Sequence, residues 1–133
     1  MEKSVIDQLI AKAKKFTEYA YCPYSGVPIG ACVLTKNGML FGGCNIENSC
    51  LSGSLGAIEV AVSKAVSEGC FNVLAVAVYS DNIMPFPTGS ERQMLLEFNN
   101  KPTVIISNSS GEIVKLNTQE ILPFAREKID NGE

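Results

Sequence analysis

The chain has 133 residues, 46% of them hydrophobic and 19% charged, with a net charge of −3 and no histidine. That length predicts one domain over 1–133, able to bury roughly two-thirds of its unfolded surface. The eleven Lys and Arg are dispersed, which excludes the basic face of a nucleic-acid binder, and no run is apolar for long enough to span a bilayer.

The N-terminal stretch mixes Lys3, Lys12, Lys14 and Lys15 through an apolar pattern and lacks a secretory core, so a cytoplasmic protein is expected. The five cysteines (Cys22, Cys32, Cys44, Cys50 and Cys70) show no C-x-x-C spacing and are expected as reduced thiols, most of them buried. The absence of histidine removes the commonest general base together with the commonest metal ligand.

In chain order, Ser4 is a candidate cap for a first helix reaching residue 19, with Ile6, Leu9, Ile10, Ala13 and Phe16 at helical spacing. Cys22-Pro23-Tyr24-Ser25-Gly26 reads as a turn. Residues 28–34 and 39–45 read as strands joined by a hairpin turn at Lys36-Asn37-Gly38. A polar loop over 46–53 leads to a central helix over 55–68, with Leu55, Ile58, Val62, Ala65 and Val66 as its buried stripe and Gly69 as its stop.

The apolar run at 73–79 predicts a strand covered on both faces. A Pro-bearing loop follows, then a helix capped by Ser90 or Gly89 and ending near Phe98. Strands are expected over 103–106 and 112–116, a short helix capped by Thr118, and a charged, frayed tail over 127–133. The order αββαβαββα implies helices on both faces of a mixed sheet.

Several stretches resemble the small, homotetrameric cytidine deaminases and the blasticidin S deaminase-like proteins that share their pattern. They are Cys22-Pro23-Tyr24-Ser25 followed by Pro28-Ile29-Gly30-Ala31, then Gly42-Gly43-Cys44-Asn45-Ile46-Glu47-Asn48, and Lys64 to Gly69. Further on, Pro87, Gly89, Arg92, Gln93, Glu97 and Phe98, and finally Glu120-Ile121-Leu122-Pro123, fit the same family. The resemblance covers 17–124. It implies a cytidine deaminase-like three-layer α/β/α sandwich with a mixed five-stranded sheet, a homotetramer or homodimer, and a nucleoside-like small molecule as ligand. Asn45, Glu47 and Ala57 fall on its ligand-binding positions.

In zinc deaminases, three cysteines, or a histidine with two cysteines, hold the metal and a separate Glu moves protons to and from the activated water. The family's C-A-E-R falls here on Gly56-Ala57-Ile58-Glu59, and its two later cysteines fall on Thr88 and Glu91. The implied ligand positions Gly56, Thr88 and Glu91 thus hold neither Cys nor His, and Ile58 replaces the proton-shuttling Glu. Neither a metal nor another cofactor is expected. The resemblance then implies a degenerate, zinc-less and deaminase-inactive member that binds a nucleoside-like molecule or acts structurally.

Two acids remain at this place. Glu59 lies at the edge of its helix's apolar stripe, and Glu91 lies at the centre of the next, with Met94, Leu95 and Phe98 at i+3, i+4 and i+7. Buried carboxylates need hydrogen bonds, protons or a cation. Three readings stay open. Glu91 caps its own helix while Glu59 pairs with Arg92 or a backbone amide; the two form a new acid/base pair; or they hold a hard cation. The functional alternatives are accordingly a metal-independent hydrolase acting through Glu59 and Glu91 on a nucleoside-like substrate, or residual cytidine deaminase activity.

Overall fold

The structure, a computed structural model, describes residues 1–99, 101–127 and 129. Helix α1 (Lys3–Phe16) runs into a 3-10 turn at Thr17–Tyr19 and is followed by strands β1 (Gly30–Thr35) and β2 (Leu40–Cys44). Then come α2 (Ala57–Ser67), β3 (Val73–Ser80), α3 (Gly89–Phe98), β4 (Thr103–Asn108), β5 (Ile113–Leu116) and α4 (Thr118–Ile121). The expected order is the observed one.

The strands form one mixed sheet in the order β2-β1-β3-β4-β5. Only β3 and β4 run parallel, joined through α3, because a parallel pair cannot be closed by a tight turn. The other neighbours are antiparallel. Strand β3 lies at the centre, and its run Val73–Ser80 is buried apart from Leu74, as an apolar stretch with both faces covered requires.

Alternation along the strands sorts side chains to two cores. On one face Cys32, Ala75, Ala77, Tyr79 and Ile105 pack against Leu9 and Ala13 of α1. On the other, Ala31, Val33, Val76, Val78, Val104 and Ile106 meet Ile58, Ala61, Val62 and Ala65 of α2, Leu95 of α3 and Ile121 of α4. The result is a three-layer α/β/α sandwich. Burial of a side chain such as Ile58 or Val62 contributes about 1.5–3 kcal/mol. Helix α2 presses on β2 at Gly43, where an added Cβ would stand 2.7 Å from Ala57 O.

Four boundary expectations are corrected. Leu55 is not part of the buried helical stripe: it is 42% exposed and precedes α2, bridging Ile46 through its backbone. Ser4 lies inside α1, whose N-cap is Glu2 with no side-chain bond. Thr88, rather than Gly89 or Ser90, caps α3, and Asn117, rather than Thr118, caps α4. Within the expected frayed tail, 128 and 130–133 lie outside the described residues. Among the described residues no helix is long and apolar enough to cross a membrane.

Candidate functional site

The candidate site is built where the N-termini of α2 and α3 meet. The first amides of a helix have no partner inside it and carry a partial positive charge. At α2 the side chain of Glu59 turns back, and its Oε1 accepts from Gly56 N at 3.1 Å. Two further orphan donors, Ile58 N and Glu59 N, both reach Glu91 Oε2, at 3.0 and 3.3 Å.

Glu91 itself starts on α3. Thr88 N and Thr88 Oγ1 each donate to its Oε1 at 3.1 Å, while Glu91 N donates to Thr88 Oγ1 at 3.2 Å. Thr88-x-x-Glu91 is thus a reciprocal capping box. The Glu91 side chain is only 7% exposed. A carboxylate offers about four lone-pair sites, and all four are engaged, two from each helix. Gly56 makes this geometry possible: a Cβ there would lie 2.7 Å from the Glu91 carboxyl carbon.

Glu59 and Glu91 are therefore brought to one place in different states. Glu91 is buried and saturated; Glu59 is half-buried and caps its own helix. A cleft of about 230 Å³ beside them is lined by Glu59, Ser90, Glu91 and Met94. Of the two partners expected for Glu59, the backbone amide, that of Gly56, is the one found, rather than Arg92. Arg92 Nε donates instead to Pro87 O at 2.8 Å and its other arm to Ile121 O at 2.7 Å, tying the loop before α3 to the end of α4. The guanidinium spans two carbonyls that a shorter or rounder donor cannot reach together.

The segment after β2 connects to this place through backbone bonds between Ile46 and Leu55, at 2.9 and 2.8 Å, just before α2 begins. Asn45 is buried, and its amide is committed to the chain: Ile29 N donates to Oδ1 and Nδ2 donates to Val27 O, both at 2.9 Å. Glu47 is fastened to the 22–26 turn, its Oε1 accepting from Tyr24 N at 2.9 Å and Ser25 N at 3.0 Å. The Ser25 hydroxyl, followed by these amides, holds the Glu47 carboxyl below its ordinary range. Ala57, the first residue of α2, is 2% exposed.

Sequence places Thr88 only at a family ligand position, whereas in the structure it is the N-cap of α3. The T-x-x-E spacing ahead of an apolar stripe carries that signal. The amides of Tyr24 and Ser25, which hold Glu47, leave no trace in residue type beyond the turn itself.

Residues 3–106 match the family described as the cytidine and deoxycytidylate deaminase zinc-binding region. A cytidine deaminase from Sporosarcina psychrophila is 41% identical over 127 residues, covering 94% of this chain and 93% of its own. A second from Halalkalibacterium halodurans is 39% identical over 119 residues, covering 88% and 90%. The crystal structure of a cytidine deaminase from Burkholderia pseudomallei superposes with a TM-score of 0.86 at 30% identity, over 95% of this chain and all of that one.

That family implies a zinc ion, and the residues assembled here do not fit one. Gly56 brings no donor atom, the Thr88 hydroxyl is engaged with Glu91, and both Glu91 oxygens already accept two bonds each. Among the described residues no group of three His, Cys, Asp or Glu converges as a metal site.

Proposed function

Because this chain belongs to the cytidine and deoxycytidylate deaminase family, we propose that it keeps the family's scaffold to bind a nucleoside-like small molecule without deaminating it. The observation that carries this reading is the Glu91 carboxylate, bonded to both helices at the position that corresponds to a zinc ligand. Hydrolytic deamination needs an activated water and a group that moves protons to and from it. Ile58, at the position of the family's proton-shuttling Glu, is an apolar side chain 1% exposed.

Binding is supported by Glu47, a half-buried carboxylate whose Oε1 is held in place by the Tyr24 and Ser25 amides. A fixed carboxylate of this kind suits vicinal hydroxyls. Asn45 supports it indirectly, by holding Val27 and Ile29 in place. In this reading the protein acts in the cytoplasm as a homotetramer or homodimer. The assembly is supported by the neighbouring exposed apolar residues Tyr21, Ile46 and Leu55, linked by backbone bridges.

A second reading, hydrolysis by Glu59 and Glu91 on a nucleoside-like substrate, draws on the cleft that both line. Against it stands Glu91, whose lone pairs are already filled. One experiment separates the readings. Purified protein is incubated with cytidine and related nucleosides, while product formation and thermal stabilisation are followed together. Stabilisation without product is expected. Deamination at a rate proportional to protein, or no stabilisation by any nucleoside, would overturn the proposal. Turnover of another bond, lost in Glu59→Gln, would favour the second reading.

A further inference from the structure

We infer that the Glu91 carboxylate has taken over the joining role of a metal, as an internal anion that ties the N-termini of α2 and α3 and makes their junction metal-independent. The inference goes beyond ligand binding and holds whether or not a nucleoside binds.

Two helix N-termini that face each other bring two partial positive charges together. Their amides need an acceptor, and the favourable occupant of the space between them is an anion. Glu91 supplies one from inside the chain. Its Oε2 takes Ile58 N and Glu59 N of α2, and its Oε1 takes Thr88 N and Oγ1 at α3. The junction is therefore crossed by bonds from one carboxylate, just as a metal crosses a junction by bonds to ligands on both sides. A cation placed there would face the positive ends of the same amides. Arg92, the adjacent cation, directs its donors to Pro87 O and Ile121 O.

Gly56 shows that the replacement involves two residues. Its missing side chain leaves the room that the carboxylate fills, since an added Cβ would stand 2.7 Å from Glu91 Cδ. A side chain at 56 and the Glu91 carboxylate in its present position compete for the same space. The two positions are thus energetically coupled, although they stand 35 positions apart in the chain.

A double-mutant cycle tests this, read as melting temperature. Gly56→Ala is expected to lower it clearly in the natural chain and little or not at all beside Glu91→Ala, where the carboxylate is gone. The Glu91→Ala chain is expected to be stabilised by sodium acetate, which restores the atoms that the truncation removes, beyond sodium chloride at the same ionic strength. Excess chelator is expected to leave the natural chain's melting temperature unchanged. Equal losses from Gly56→Ala in both backgrounds, acetate no better than chloride, or destabilisation by chelator would each overturn the inference. If Glu91→Ala does not fold, Glu91→Gln takes its place, because its amide nitrogen turns a donor toward donors. It is expected to melt below the natural chain, and a melting temperature equal to the natural chain's would overturn the inference.

Discussion

The carboxylate of Glu91 fills the space into which a side chain at Gly56 would grow, its carboxyl carbon 2.7 Å from where that Cβ would stand. One residue is the smallest possible and the other is charged and 7% exposed. Neither is explained alone. A glycine at a helix N-cap is tolerated but gives no side-chain cap, and a buried carboxylate is costly without partners. Together they close a junction in which every lone pair of the acid meets a donor.

Thr88 is expected to be the most sensitive exposed residue of this junction. Its hydroxyl both accepts from Glu91 N and donates to Glu91 Oε1. Thr88→Val is expected to lower stability by about 1–2 kcal/mol, the range for a lost N-cap, and Thr88→Ser to recover most of it. Urea unfolding monitored by circular dichroism checks both.

Arg92 joins three elements through Pro87 O and Ile121 O. Arg92→Lys keeps the charge but cannot hold both carbonyls. A loss of about 1–2 kcal/mol is expected, with faster amide exchange in α4 than in the central strand β3. Equal acceleration in both would instead mean a general loss of stability.

Glu47 links stability to pH. Its carboxyl is held below the ordinary value of 4.5 by the Ser25 hydroxyl and by the Ser25 and Tyr24 amides. A group depressed in the folded state stabilises that state fully above its unfolded pKa and loses the effect as pH falls through the folded one. Glu47→Gln is therefore expected to flatten the fall in melting temperature below about pH 4.5 and to leave its pH dependence near neutrality unchanged.

The cysteines are expected to react in a fixed order. Cys50 is exposed, and the Ser52 hydroxyl, with the Gly53 and Ser52 amides, holds its thiol below the ordinary value. Burial pushes the Cys32 thiol up to about 11. Thiolate is the reactive form. Iodoacetamide at neutral pH is expected to label Cys50 first and to reach Cys32 only on unfolding, as followed by peptide mass spectrometry.

The order of elements and the mixed sheet were legible because periodicity is a local signal. The run Val73–Tyr79 reads as a two-sided strand, and Ile58, Val62 and Ala65 read as one helical face. Leu55 misled because apolar character alone does not separate the last loop residue from the first helical turn. The fate of Glu91 was legible only in part. Its place on an apolar stripe predicts burial, and Thr88-x-x-Glu91 predicts a cap. That the same carboxylate also reaches Ile58 N and Glu59 N depends on a pairing of two helices distant in the chain. The Asn45 bonds to Val27 and Ile29 likewise come from tertiary contact, which residue type does not encode.

Whether Glu91 has replaced a metal is tested most directly by metal analysis of the natural chain after expression and purification with zinc supplied throughout. The expected result is folded protein with no stoichiometric zinc, next to a quadruple variant, Gly56→Cys, Ile58→Glu, Thr88→Cys and Glu91→Cys, that retains it. Zinc bound one-to-one by the natural chain would contradict the replacement of the metal by Glu91.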